Sequence, residues 1–406
     1  MTGTTIAQAI PLAISPILTR IYTPDDFGVL GLFLAISSIT GAVATGRYEQ
    51  AILLPEKKEN ALVIVKLCFL ASLVLSFFLL IVIVLFSGYF AGRLGNEEIR
   101  FWLFLVPFAT LSLGFYNTLN YYNLRLKQFK NVSKSQILRS TTLGISQVVI
   151  GLIKSGALGL ITGQIISYVS GISILSNSIP NLRNNLKKIT WTSIKEQAKL
   201  YVKFPKFSLP STFVNTTTLN LTPILISSFF SMTTLGFYSL SLRIIGVPSR
   251  VLGNSFSQVF YQKATEMFNN NNKVEPIFVK TLLRLLMVGV PPFLILYFFV
   301  EPIFEIVFGV DWKISGTYAK ILIPLAASRF VSSSMSPITN IMQKQHISLM
   351  INVALLLTTI ALFFYAKNFS VEFNLLLRYL TFSLGFIYIF GIMVYWYIVR
   401  QSDKNK

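Results

Sequence analysis

The sequence predicts an all-α integral membrane protein, with about twelve transmembrane helices in two pseudo-symmetric six-helix lobes around a central cavity. Three observations lead there. The 406 residues are 53% hydrophobic and only 12% charged, and the mean hydropathy is +0.65; a soluble domain of this size needs more polar surface. Apolar segments of roughly 20 residues, the length that crosses a bilayer core, recur along the chain. Two sets of matched residues relate its halves. A lipid-exposed backbone must satisfy its own hydrogen bonds, so such segments form helices or closed barrels. The ten-residue alternation of a barrel is absent.

Taken in order, the candidate spans run over 3–19, 25–54, 61–87, 101–123, 136–153, 156–177, 207–230, 235–261, 277–299, 317–341, 346–366 and 372–398. The first apolar segment, Thr5 to Leu18, is short for a span, and the expectation is that the chain begins inside its first helix. It has no basic leader and no A-x-A cleavage site. Span two opens with helix-start chemistry: Thr23 caps, Pro24 suits the first turn, and Asp25 and Asp26 favour the positive end of the helix dipole. About twenty uncharged residues follow, and then Arg47, Glu49 and the run to Pro55.

The longest polar connection, 180–206, separates a first lobe over 1–179 from a second over 207–406. Within it, Trp191, Ile194, Ala198 and Tyr201 recur at helical spacing beside Lys195, Lys199 and Lys203. This reads as an interfacial helix on the cytoplasmic leaflet, or alternatively as a solvated linker. With the N-terminus inside, the inner loops hold most Lys and Arg, including Arg125, Lys127, Lys187, Lys188, Lys263, Lys344 and Arg400. The outer loops hold only Arg20, Arg93, Arg100, Lys154, Lys313 and Lys367. That asymmetry predicts both termini in the cytoplasm. The net charge of +20 then reflects loops facing anionic lipid rather than nucleic acid.

The halves repeat. Leu105-Val106-Pro107-Phe108-Ala109 matches Leu322-Ile323-Pro324-Leu325-Ala326, and the same ungapped alignment pairs Asn123 with Asn340 and Lys127-Gln128 with Lys344-Gln345. Gly28 pairs with Gly236, Leu32 with Leu240, and Gln50 with Gln258. Six spans per repeat give both halves the same orientation, related by an axis along the membrane normal.

Buried polarity marks the candidate site. In span eight, Ser239, Arg243, Gly246, Arg250, Asn254 and Ser257 share one helix face. In span ten, Arg329, Ser333, Ser336 and Asn340 do so, and span seven carries Ser208, Ser211, Asn215, Thr218 and Thr222. An arginine inside a span costs about 2.5–3.5 kcal/mol on insertion scales, so it does not face lipid. The reading is a wet cationic cavity lined by Arg47, Arg243, Arg250, Arg284 and Arg329, suited to phosphate through the guanidinium fork. Two of these have plainer alternatives: Arg284 snorkels to the interface beside Lys280, and Arg47 simply ends span two, paired with Glu49. Small-residue faces such as that of span two more often serve close helix packing than substrate room.

Enzyme chemistry finds no foothold. Cys68 is the only cysteine and His346 the only histidine, which removes intrachain disulfides, cysteine metal clusters and most zinc sites. There is no P-loop, HExxH or GxSxG motif. No catalytic residue, metal site or cofactor is expected.

The segments PLAISPILTRIYTPDDFGVLGLF and ATGRYEQAILLP resemble the start of bacterial polysaccharide biosynthesis proteins, the oligosaccharide flippases of the multidrug/oligosaccharidyl-lipid/polysaccharide exporter superfamily. The resemblance is most specific over residues 10–60. It implies translocation of undecaprenyl-diphosphate-linked oligosaccharide across the bacterial inner membrane for O-antigen or a similar polymer. Membrane lipids, a polymerase and glycosyltransferases are the implied partners. Arg47 and Glu49 lie in its TGRYE mark. A cation-coupled multidrug exporter of the same architecture and a non-transporting scaffold for glycan assembly are the alternatives.

Overall fold

The structure is a computed structural model and describes residues 2–94 and 98–404. All regular structure among them is helical. In chain order the helices are α1 (Thr2–Ile21), α2 (Pro24–Val43), α3 (Lys58–Leu94), α4 (Glu98–Leu103), α5 (Val106–Arg125), α6 (Phe129–Ile153), α7 (Leu158–Asn177), α8 (Leu182–Lys187) and α9 (Trp191–Leu200). There follow α10 (Leu209–Phe229), α11 (Met232–Asn269), α12 (Glu275–Ile303), α13 (Lys313–Met335), α14 (Ile338–Ile341), α15 (Gln345–Asn368) and α16 (Phe373–Lys404). Among the described residues nine helices are long and apolar enough to cross a membrane, and Ile6–Ile21 and Met232–Val247 are shorter apolar stretches. Helix α10 is diluted by Ser, Thr and Asn. Every expected span therefore has its helix.

The chain forms two compact units, Met1–Gly236 and Phe237–Lys406. In the first, α6 packs on α1 and α7, α5 on α2, α3 and α7, and α10 on α2. Its buried cluster includes Ile52, Ile64, Val65, Cys68, Leu119, Tyr122 and Leu175. In the second unit, α13 packs on α12 and α16, and α15 on α16. Phe330 touches Phe293 there at 5.8 Å between ring centroids. At the start of α12, the Asp403 carboxylate accepts from the Glu275 backbone N–H at 2.7 Å, which complements the positive end of the helix.

Span two is shorter than its sequence suggests. Thr23 and Asp26 form the expected capping box. Helix α2 nevertheless ends at Val43, because Gly46 (φ 63°) and Arg47 (φ 65°) are both left-handed. Two successive residues in that region reverse the helix. A 3₁₀ turn, Tyr48–Leu53, takes the rest of the apolar run. Span four is likewise two helices, with Pro107 restarting the chain in the first turn of α5.

The repeat has a physical expression. A Cβ on Gly28 would lie 2.1 Å from the Met232 carbonyl oxygen, and one on Gly236 would lie 1.7 Å from the Pro24 carbonyl oxygen. The two contacts exchange repeat-related positions, as in an isologous contact. Thr233 and Asp25, related by the same offset, share a 2.7 Å hydrogen bond. Leu32 and Leu240 are both fully buried.

The connecting segment folds as two short helices. Thr190 caps α9 by accepting from the Ser193 N–H at 3.3 Å. Ile194 is buried, and Tyr201 and Phe204 pack against the core of the first unit. The Ala198 carbonyl accepts from the Tyr48 hydroxyl at 3.1 Å, and the Ile189 carbonyl from Lys66 Nζ at 3.0 Å. Most of the apolar stripe seen in sequence is thus spent on protein. Trp191, Leu200, Val202 and Phe207 stay exposed.

Candidate functional site

In the first unit, the reversal after α2 creates an ionic knot. The turn after α2 carries Thr45, and the two left-handed residues fold Arg47 and Glu49 back toward it. Arg47 Nη1 lies 2.9 Å from Glu49 Oε1, and the Thr45 hydroxyl donates to Glu49 Oε2. Both carboxylate oxygens are engaged, and Glu49 is only 2% exposed. Arg47 Nε is buried with no partner. The local pairing with Glu49 is therefore formed, and the Nε–H of Arg47 is left as a buried unused donor. From the end of α5, Arg125 donates to the Ile52 and Glu56 carbonyls at 3.1 and 3.2 Å, and also to that of Pro55. It caps the 3₁₀ turn and fixes the knot's base. Burial pushes the Tyr48 phenol up from its ordinary value.

A deep cation in this unit escaped the sequence reading. Arg139 lies ten residues into α6, about 15 Å along the helix. Its guanidinium carbon is 4.3 Å from the Tyr116 ring centroid and 4.6 Å from that of Tyr168. Two aromatic faces thus hold one cation. A Cβ on Gly171 would come within 2.6 Å of Arg139 Cγ and 2.8 Å of Tyr116 Cε2, so the glycine makes room for the stack. Arg139 Nε and the Tyr116 hydroxyl are buried without partners. The depth test that singled out Arg243 would have found Arg139 too. The expected span begins at 136, seven residues after the helix itself, which sets Arg139 near its end rather than deep within it. Asn215, on α10, is exposed.

In the second unit, α11 and α13 run parallel. Ser241 on α11 donates to the Ser315 carbonyl at 2.6 Å. Further along, Gly253 faces the Phe330 ring, and a Cβ on Gly289 of α12 would lie 2.2 Å from it. These contacts set the register. Arg250 and Arg329 each lie just before a contact residue, so their backbones differ in depth by about 3 Å at 1.5 Å per residue. The side chains of Arg250 and Asn254 lie outside the described residues. Arg243 is half-buried and Arg329 exposed. Arg329 acts electrostatically on Tyr388 of α16. Arg284 is exposed five residues from Gly289, toward the start of α12, and Asn340 is exposed on α14. The structure thus brings Arg243, Arg250 and Arg329 onto adjacent parallel helices and leaves Arg284 about 9 Å further along the axis from Arg329.

Chemically, these arrangements offer guanidinium forks and helix hydroxyls. They suit binding and release of an oxyanion rather than proton transfer. No group of three or more His, Cys, Asp or Glu placed to hold a metal occurs among the described residues.

Residues 17–316 match the sequence model of a family described as polysaccharide biosynthesis protein. A search of curated proteins gave no match. Among solved structures, an inward-facing multidrug resistance MATE family transporter of the MOP superfamily aligns at a TM-score of 0.76 and 12% identity, covering 98% of this chain and 95% of that one. The lipid II flippase MurJ, in an inward closed conformation, aligns at 0.71 and 14%, covering 98% and 87%. A mutant of the Vibrio cholerae MATE transporter VcmN aligns at 0.58 and 14%, covering 100% and 94%. At these identities the likeness establishes the fold, that of twelve-helix multi-pass membrane transporters.

Proposed function

This chain belongs to the polysaccharide biosynthesis protein family, and we propose that it is a flippase that carries undecaprenyl-diphosphate-linked oligosaccharide across the bacterial inner membrane. The surface polymer served is O-antigen or a similar glycan. The observation that carries the reading is the set of arginines on α11 and α13, with Arg250 and Arg329 at nearly one depth on parallel neighbours. Guanidinium forks replace water around a diphosphate. Ser, Thr and Asn side chains meet the sugars, with Asn215, Asn254 and Asn340 as the candidates, and the polyprenyl tail stays in lipid. Two lobes, 1–179 and 207–406, rock between inward- and outward-open states. Residues 180–206 lie on the cytoplasmic leaflet, where both termini also sit. A polysaccharide polymerase and glycosyltransferases are its partners in this reading. The protein works as a transporter rather than as an enzyme.

The test is complementation of a flippase-deleted strain with single Ala variants at Arg243, Arg250 and Arg329. Surface glycan falls while the protein stays in the membrane. Normal glycan from all three expressed variants would remove the cationic-site mechanism. The likeness to a multidrug transporter favours one second reading, a cation-coupled multidrug exporter of the same architecture. It predicts accumulation of a cationic dye in deletion cells and unchanged glycan. A non-transporting scaffold predicts rescue by all three variants.

A further inference from the structure

The second unit contains a cavity of about 380 Å³ among α12, α13 and α16. It is separate from the arginines of α11. Its wall grades from charged to apolar. Glu301, Lys320 and Arg378 contribute the charged part, and Ile321 and Phe382 the apolar part. Each apolar member follows its charged neighbour along the same helix direction, Ile321 after Lys320 and Phe382 after Arg378, so the apolar part lies deeper. The shallow end belongs to the side that the Lys and Arg pattern assigns to the outside. Phe382 is 74% exposed, so the apolar end is open.

The charges do not cancel. Lys320 Nζ donates to Glu301 Oε2 at 2.6 Å, which neutralises that pair. Arg378 is exposed and has no ion pair or hydrogen bond among the described residues. The cavity therefore keeps one net positive charge on a planar fork. Thr381 lines the same cavity one helical turn deeper. It is 4% exposed, and its hydroxyl is buried with no partner. A threonine inside a helix ordinarily donates to the carbonyl three or four residues back, as Thr359 does to Leu355 at 2.8 Å. Thr381 leaves that bond unmade, and an unmet buried hydroxyl calls for an acceptor.

The geometry points to a binding site for a phosphate carried on a lipid. The phosphate sits against Arg378 and takes the Thr381 hydroxyl proton as a hydrogen bond. The chain runs past Ile321 and Phe382 into the bilayer. An amphiphile satisfies both ends of the graded wall, which a free anion does not. This assignment does not depend on the flippase reading, because it concerns lipid binding and not translocation.

The experiment is native mass spectrometry of the full-length protein in detergent, titrated separately with phosphatidylglycerol, undecaprenyl phosphate and inorganic phosphate. At least one lipid binds the wild type about tenfold or more tightly than Arg378→Gln, with Lys280→Gln, at the other end of α12, unchanged. Thr381→Val weakens the same lipid and leaves thermal stability intact. Arg378→Lys, which keeps the charge and loses the fork, falls between and covers the case in which Arg378→Gln fails to fold. The lipid that loses more affinity in these variants is the natural source of the phosphate. Equal binding by wild type and Arg378→Gln overturns the proposal. So does occupancy by inorganic phosphate as strong as by either lipid, which would mark a simple anion site.

Discussion

The contact between the start of α2 and the start of α11 invites the sharpest test. Ala at Gly28 puts a methyl carbon 2.1 Å from the Met232 carbonyl oxygen, and ordinary contact begins at 3.4 Å. The helix ends must therefore part by about 1.3 Å, and by about 1.7 Å for Gly236→Ala against the Pro24 carbonyl. Neither neighbour is the tip of a flexible side chain, so the backbones themselves must move. Overpacking of this kind costs about 1–3 kcal/mol. The stronger consequence is coupling. Both substitutions separate the same two helix ends, so the second costs less once the first is made. In a double-mutant cycle the combined loss falls short of the sum by about 0.5 kcal/mol or more. The assay is reversible unfolding in mixed micelles, with Gly92→Ala as control. A Cβ at Gly92 meets nothing within 4 Å, so that variant is neutral or slightly stabilised by helix propensity. If Gly28→Ala unfolds like the control, or if the two losses add in full, the reciprocal contact does not hold these ends together.

Four further outcomes follow from single observations. Glu49→Ala leaves Arg47 uncompensated and lowers stability by about 3–5 kcal/mol, while Arg47→Met in the same chain recovers much of the loss; unfolding of the three variants checks it. Arg139→Met keeps the stack's volume and loses its cation–π attraction, about 0.5–2 kcal/mol, and its lower unfolding temperature should be matched by Tyr168→Leu. Burial, and then the Asp26 carboxylate, push the Tyr22 phenol up to about 12 from its ordinary 10. The folded state thus favours the neutral phenol, so the stability it contributes is whole below pH 10 and is lost between pH 10 and 12. Tyr22→Phe, which also loses the 2.6 Å bond to the Gln147 carbonyl, should be less stable at pH 7 by about 1 kcal/mol and show a shallower alkaline limb in a pH series of unfolding curves. Trp191, 61% exposed beside Lys195 and Lys199, should be quenched by brominated anionic lipid, read as the difference from Trp191→Phe; no difference would mean that α9 stands off the bilayer.

The span pattern was readable because twenty apolar residues can do little else in a bilayer. What escaped was set by backbone geometry and by tertiary contact. Nothing apolar distinguishes Gly46 and Arg47 from the end of a longer helix, yet their left-handed conformations end α2 and create the Glu49 pair. Arginine at a left-handed position is not a sequence signal, since the surrounding structure must hold it there. The stripe on α9 was correctly periodic, but periodicity does not say whether an apolar face meets lipid or protein. Ile194 meets protein. For Arg139 the residue type was visible, and only the pair of tyrosines from α5 and α7 shows how its charge is accommodated.

The repeat shows most plainly where sequence matching stops and structure continues. The ungapped alignment pairs Lys127 with Lys344, but the structure pairs Lys127 with Gln343. Both are left-handed, with φ of 57° and 54°. Each turn is closed by the same six-residue bond, from the Gln128 N–H to the Asn123 carbonyl at 3.0 Å and from the Lys344 N–H to the Thr339 carbonyl at 2.7 Å. That is the Schellman closure of a helix end. The repeated object is therefore the turn and not the lysine, displaced by one residue from the best residue match. A one-residue slip rotates side chains by about 100° on a helix of 3.6 residues per turn. Residues paired by letter thus face different neighbours beyond it. The matched prolines behave the same way: Pro107 starts α5, and Pro324 lies inside α13. Functional roles in one half should accordingly be sought in the other by position along the backbone turn, not by residue identity. By that rule a deep cation in one half need have no partner of its own kind in the other, which is how Arg139, Arg250 and Arg329 are distributed.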